Sequence, residues 1–463
     1  MEVLETVGVR VESPDGLRIL EEAGADVDFE KHLARIPEPI VREAISKTPS
    51  RFNLYGRDSK CFVRFEDGEV HFADGAVPRF VQDLDGKRRL ATLRDVAEIT
   101  RLCDALDYPE VLVAGVFPGD VPEQVHHVHT FLTRLENTVK PAFYLYYAQG
   151  ARTAKDLIRM ASVASRGIEN LRRKPTLIGW ENPVSPLSHS KEMTEMVIEF
   201  AREGLPVHIG PAIQAGATGP VSLAGVLVQQ NAENLSGIAV AQFAAQPKQR
   251  PPILYGAVPA IADARYATMC YGSPEAALMS AASTQVARFY NLPNRGNAMT
   301  ESKTLDVQAG FEAATSLVMC ALSGANIIVN SAGGSLEPGV ASISYEKIVV
   351  DNEICGFVER LLRGLDVGSE TLALETISKV GPGGHYLSEP HTLRLIRNEH
   401  YIPTITDRRD FESWFKDGAK ELRHKAQAKV KEILAKHKVP PLEQDIKSEL
   451  QEIVKEVEAR ELK

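Results

Sequence analysis

Cysteine is scarce in this 463-residue chain. Its five residues, Cys61, Cys103, Cys270, Cys320 and Cys355, are far apart, and none forms a CxxC pair. That pattern argues against a disulfide framework or a thiolate zinc site. It fits a reducing cytoplasm, with cysteines acting as small buried hydrophobes. No run of about 18 apolar residues exists, so no membrane span is expected. The opening MEVLETVGVRVE lacks the basic leader and apolar core of a signal peptide. Positive charge is not in excess either: 53 basic against 62 acidic residues leave a formal charge of −9. A broad nucleic-acid surface is thereby excluded.

Recognisable catalytic signatures are missing as well. There is no nucleophile elbow, Walker loop, HExxH or kinase set. His126, His127 and His129 lie on a predicted helix at spacings that do not bring them to one face, so no metal site is expected there.

What is present is ordinary globular material, 44% hydrophobic and 25% charged, enough for about three domains or one large barrel with appended helices. Residues 1–90 read as an α+β extension. SPDGLRILEEAGADVD is a capped helix ending at Gly24, PEPIVREAISKTP is a second helix, and RFNLYGRD and GEVHFADGAVPRFVQDLDGKRR are strands with a turn at Asp85 and Gly86. From about residue 91 short apolar runs alternate with helical stretches. The runs fall at 111–117, 141–148, 176–182, 206–211, 251–257, 295–300 and 325–331. The helical stretches are predicted over 122–135, 153–166, 189–203, 221–244, 274–290 and 306–323. This alternation predicts an α/β fold, a (β/α)8 TIM-type barrel over 91–406, with an open doubly wound sheet as second choice. No early GxGxxG supports the latter. The eighth strand is open between ATLRDV, TLALETI and YIPTITD. Residues 407–463 read as two charged amphipathic helices parted by Pro440 and Pro441.

In such a barrel, chemistry gathers where strands end. The aromatic fraction is only 6%, yet Phe143, Tyr144, Tyr146 and Tyr147 crowd one strand end and Trp180 tops the next. Tyr144, Tyr147 and Trp180 are therefore candidates for a cage around a cation, although alternation lets only half of the tyrosine strand face inward. Glycine-rich stretches such as GATGP and GPGGHYL do not by themselves make a nucleotide site.

Beyond this point a resemblance carries the reading. PVSLAGVLVQQNAENLSGIAVAQF (220–243), LYGAVPAIADARYATMCYGSPE (254–275), QAGFEAATSLVMCALSGAN (308–326) and LEPGVASISYEKIVVDNEI (336–354) resemble the trimethylamine:corrinoid methyltransferase family. The similarity runs from Val3 almost to the end, and the chain starts inside what resembles the family's first helix, so a short preceding segment is expected. The resemblance implies a TIM-type barrel that passes a methyl group from a methylated amine to the cobalt of a corrinoid held by a cognate partner protein. No cofactor is then bound tightly by the chain itself, and a homo-oligomer is expected.

Within that family, a pyrrolysine precedes a Lys and a downstream QAG. In GNAMTESKTLDVQAG the matching residue is Met299. Methionine cannot form pyrrolysine's imine chemistry, so the chain resembles the non-pyrrolysine branch, which demethylates quaternary amines such as glycine betaine, proline betaine or carnitine. A quaternary nitrogen leaves as a neutral amine and needs no general acid, in keeping with the missing dyad. Arg295 is the candidate for a betaine carboxylate, Asn297, Glu301 and Asn330 are candidate polar linings, and Gly333, Gly334 and His385 are candidates for the approach of the corrinoid. Other betaines, γ-butyrobetaine included, and a module that binds without turnover stay open as alternatives.

Overall fold

The computed structural model describes residues 1–75, 77–113, 115–142 and 150–462. Its centre is a parallel sheet whose strands lie in the hydrogen-bonded order His71–Phe72, Ile327–Val329, Asn294–Asn297, Ile253–Gly256, Val207–Ile209 and Gly179–Glu181. Parallel bridges Ala73–Val111 and Leu112–Ala142 carry the order onward from the first of these strands. The fold is the expected (β/α)8 TIM-type barrel. Its strands are only two to four residues long and are buried at every position, as parallel strands covered by helices must be.

The helices answer the sequence pattern closely. They run over Leu93–Ala105, His126–Asn137, Ala151–Ala164, Lys191–Arg202, Leu223–Ala244, Pro274–Phe289, Val307–Ser323 and Tyr345–Leu362. Several start on side-chain caps: the Ser190 hydroxyl accepts from Met193 N, that of Ser273 from Ala276 N, and the Asp306 carboxylate from Ala309 N. Each cap satisfies one of the orphan N–H groups of a first turn.

One expectation is corrected. The remaining barrel strand is His71–Phe72, paired in register with Ile327 and Ile328, and none of the three competing stretches supplies it. Residues 93–105 and 374–380 are helices instead, and 401–407 holds no regular element. The barrel thus begins inside the segment assigned to the extension, before residue 90. So short a strand, in a run read as hairpin, has no period to reveal it. The hairpin turn itself is where expected, joining Phe80–Gln82 to Arg88–Leu90.

Two small sheets stand over the strand ends that build the site. One is Gln214–Ala215, Ala260–Asp263 and Thr268–Cys270. The other is Ser335–Leu336, Ser342–Ser344, Phe80–Gln82 and Arg88–Leu90. At the far end of the chain, Leu422–Lys436 packs on Leu93–Ala105 and Tyr345–Leu362, while Gln444–Glu461 packs on His126–Asn137 and Ala151–Ala164. Their apolar stripes, among them Val430, Ile433, Leu450, Ile453 and Val457, are buried. Between barrel and terminal helices, the helices Ser369–Leu372, Leu374–Val380, Pro390–Glu399 and Phe411–Lys416 bury no residue. Among the described residues, no helix is long and apolar enough to cross a membrane.

Candidate functional site

At the carboxyl ends of the strands lies a cavity of about 140 Å³. Trp180 enters it from Gly179–Glu181, Arg295 from Asn294–Asn297, and Val329 and Asn330 from the end of Ile327–Val329. The overlying loops add Val258, Tyr271, Gly339 and Val340, and Met299 follows the Asn294–Asn297 strand. Val258, Met299 and Val340 form one apolar cluster with Ala212 and Tyr271 against it. Met299 is thus an apolar wall, buried among hydrocarbon.

Arg295 is the one cationic side chain among the described lining residues. It is 5% exposed. Its Nη2 donates to Asn297 Oδ1 at 2.7 Å, and Asn297 in turn donates to the carbonyl of Ala257 at 2.6 Å. Nε and Nη1 of Arg295 have no hydrogen-bond partner. No carboxylate pairs with it among the described residues, and burial pushes its pKa down to about 9. A guanidinium that is buried, unpaired and short of acceptors is costly, and an anion reaching it would supply an acceptor that it lacks.

The arginine rests over Trp180, with its Cζ 4.9 Å from the ring centre. His208 stacks on the same ring at 3.9 Å and 30°. Trp180 is thus engaged by two neighbours of this chain while it also lines the cavity, so an adjacent guanidinium shares the ring expected to cage a trimethylammonium group. The indole N–H is engaged too, donating to Asn182 Oδ1 at 2.9 Å. His208 is fully buried, both its nitrogens lack partners, and burial together with the charge of Arg295 drives its pKa well below the usual histidine value. The ring fits only because residues 210 and 256 are glycines: a Cβ at either would come within 2.2 Å of it.

Glu301 does not serve Arg295. Its carboxylate accepts from Tyr271 N at 2.5 Å and from Gly272 N at 2.9 and 3.0 Å, clamping the loop that carries Tyr271 over the site. Burial raises its pKa, and Glu312 adds to the rise. Asn330 lines the cavity at φ +63°, while its backbone N–H donates to the carbonyl of Asp74 at 2.9 Å.

The expected corrinoid-approach residues stand elsewhere. Gly333 and Gly334 are buried, and what approaches them is the protein's own chain. A Cβ at 333 would meet Gly75 N at 2.5 Å, and one at 334 would meet Ser344 O and Ile348 Cγ1 at 2.5 Å. His385 is exposed, in the loop between Leu374–Val380 and Pro390–Glu399, and does not line the cavity. Tyr144 and Tyr147, with Phe143, Tyr146 and Gln149, lie outside the described residues.

Elsewhere the histidines take separate structural partners. His126 Nε2 meets Val121 O at 2.6 Å, His127 meets Asp156 at 3.0 Å and His129 meets Glu458 at 2.9 Å. Glu181, His189 and Ser236 form a buried chain with 2.7 Å links. It resembles a hydrolase triad only in residue type. Ser236 is fully buried in the middle of Leu223–Ala244, with backbone carbonyls around its hydroxyl.

Comparison with known proteins gives the site its context. The family model described as trimethylamine methyltransferase (MTTB) matches residues 1–461. Glycine betaine methyltransferase of Desulfitobacterium hafniense strain Y51 is 32% identical over 457 residues, covering 98% of this chain and 93% of that protein. Trimethylamine methyltransferase MttB2 of Methanosarcina mazei is 36% identical over 462 residues, covering 98% and 91%. The crystal structure of the Methanosarcina barkeri monomethylamine methyltransferase superposes with a TM-score of 0.53 at 9% identity, covering 98% of this chain and 96% of that one. At that identity it speaks for the fold alone. With its whole length matched by one family model and by relatives above 30% identity, the chain belongs to the trimethylamine methyltransferase family and is a methyltransferase.

Proposed function

We propose that the enzyme takes a methyl group from a quaternary amine that also carries a carboxylate, glycine betaine first among them, and passes it to the reduced cobalt of a corrinoid brought by a partner protein. The observation that carries this reading is Arg295, a buried guanidinium on the lining of the cavity, with two unpartnered nitrogens and, among the described residues, no carboxylate paired with it. Trimethylamine offers nothing for such a group to bind, whereas a betaine offers a carboxylate that accepts a charge-assisted hydrogen bond. The relative named a glycine betaine methyltransferase supports the same substrate class.

The chemistry asks little of the protein's acids and bases. When the C–N bond breaks, its electron pair stays on nitrogen and the amine departs neutral, so no proton has to be supplied. Binding and orientation are what remain. Arg295 fixes the carboxylate end, which sets the direction of the methyl groups, and the wall of Val258, Met299 and Val340 keeps water from the charged nitrogen. Placement of this kind can supply up to roughly 7–11 kcal/mol of the barrier in ideal cases. Met299 takes part as hydrocarbon wall and forms no covalent bond to substrate.

The test is direct. The purified chain is mixed with a cobalt(I)-loaded corrinoid protein and glycine betaine, choline or trimethylamine, and the cobalt spectrum is followed. Methyl-cobalt is expected with glycine betaine. Its formation with trimethylamine alone would overturn the proposal. The partner corrinoid protein, a cytoplasmic setting and assembly into a homo-oligomer belong to the same reading, the last checked by sedimentation.

A further inference from the structure

The proposed substrate has two ends, and the reading above uses only one. Resting on that reading, the question is what holds the quaternary ammonium. Trp180 is already engaged: His208 stacks on its ring at 3.9 Å, and Arg295 stands 4.9 Å from the ring centre with a positive charge that repels a second cation. Among the described residues one further ring lines the cavity, that of Tyr271.

Tyr271 is held at both ends. Its backbone N–H and that of Gly272 donate to the Glu301 carboxylate, and its hydroxyl donates to Met269 Sδ at 3.7 Å. Gly272 lets the loop settle on the strand end, since a Cβ there would meet Met299 O, Thr300 Cα and Glu301 Oε2 at 2.9 Å. The ring is therefore placed before substrate arrives and loses little freedom on binding. Beside it stand Met299, Val258 and Val340, hydrocarbon suited to N-methyl groups and unable to hydrate them. The cavity, about 140 Å³, is close to the engineered cavity of about 150 Å³ that accepts benzene. A compact zwitterion bound to Arg295 has its cationic end confined to this same small space.

We propose that Tyr271 is a specificity-determining residue whose ring, fixed between the Glu301-clamped backbone and Met269, holds the substrate's trimethylammonium group while Arg295 holds the carboxylate. A cation on an aromatic face is attracted by the ring quadrupole, and more strongly where water is excluded. A neutral group of the same shape gains only contact area.

The experiment pairs glycine betaine with 3,3-dimethylbutyrate, which keeps the carboxylate and shape but replaces the charged nitrogen by carbon. Binding of each to the full-length protein is measured by calorimetry. The unaltered protein is expected to bind glycine betaine at least about 10-fold more tightly than the isostere. Equal affinities overturn the proposal without any mutation. In Tyr271→Leu the affinity for glycine betaine is expected to fall about 10- to 30-fold, and that for the isostere by less than about threefold. Tyr271→Phe, which keeps the ring, should stay within about threefold for both. Equal losses for both ligands in Tyr271→Leu would overturn the role of Tyr271 and leave the betaine reading standing. Failure of the unaltered protein to bind either ligand would overturn that reading and this inference with it.

Discussion

The guanidinium of Arg295 lies 4.9 Å from the centre of the Trp180 ring, and this pairing organises the candidate site. The ring does for the arginine what no carboxylate does: it offers a negative face that leaves the N–H groups free. Had an aspartate stood there, the arginine would be neutralised and closed to an incoming anion. An aromatic support keeps it in place and available.

Substrate selection should depend on that availability. Arg295→Ala is expected to raise KM for glycine betaine about 10- to 100-fold, the loss of a charge-assisted hydrogen bond of roughly 1.5–3 kcal/mol. Choline has the same trimethylammonium group without the carboxylate, and its kcat/KM should change by less than about threefold. Steady-state kinetics with both substrates checks this, and equal losses would reject the role.

Stability should fall on the acid side because of His208. Its pKa in the folded chain is well below the ordinary value, so below about pH 6.5 the unfolded chain binds a proton that the folded one refuses. Stability that is present above that pH is then lost as pH falls, by about 1.4 kcal/mol for each pH unit below 6.5. His208→Phe should flatten this slope between pH 7.5 and 5.5 in denaturant titrations. His189 works in the opposite sense. Glu181 raises its pKa, so its contribution is complete below about pH 6.5 and fades as pH climbs through the raised value.

The barrel was legible because its helices are long and alternate with short apolar runs, and the caps Ser190, Ser273 and Asp306 lie within one residue of where the predicted stretches start. Arg295 and Met299 line the cavity at the end of a strand, where a barrel puts its chemistry, and it was the family resemblance that singled out Met299. His71–Phe72 was not legible, since two residues have no period. Nor was the covering of Trp180, because its neighbours come from residues 208 and 295, and no local rule links these. Tyr271 was hidden beside a helix cap: YGSPEA explains itself as the start of Pro274–Phe289, and that sufficient local reason masked the ring before it.

Gly333 separates a packing role from a docking role. A Cβ there would press into Gly75 N at 2.5 Å and Gly75 Cα at 2.7 Å, both backbone atoms that cannot rotate away. Gly333→Ala should therefore lower stability by about 1–3 kcal/mol in denaturant melts, while the folded fraction keeps its KM for substrate. Exposed His385→Ala should leave the melting temperature unchanged. Normal stability in Gly333→Ala, with weakened use of the corrinoid protein, would restore the glycine to the docking surface.

A buried cation without an ion-pair partner costs stability, and its removal should show this. Arg295 is 5% exposed, hydrogen-bonds only Asn297 among the described residues, and is pushed toward deprotonation by burial. A methionine of comparable length would keep contact with Trp180 and carry no charge to desolvate, a kind of replacement that is often neutral or stabilising. Arg295→Met is therefore expected to raise the melting temperature of the ligand-free enzyme by a few degrees while weakening glycine betaine as Arg295→Ala does. At equal concentration glycine betaine should stabilise the unaltered protein by about 1.4–2.7 kcal/mol more than the variant, because ligand stabilisation grows with the logarithm of concentration over Kd. A destabilised variant would mean that the arginine serves the fold, and its lone charge would then need another explanation. A stabilised variant with a smaller ligand shift would mark Arg295 as a residue kept for substrate at the expense of the fold.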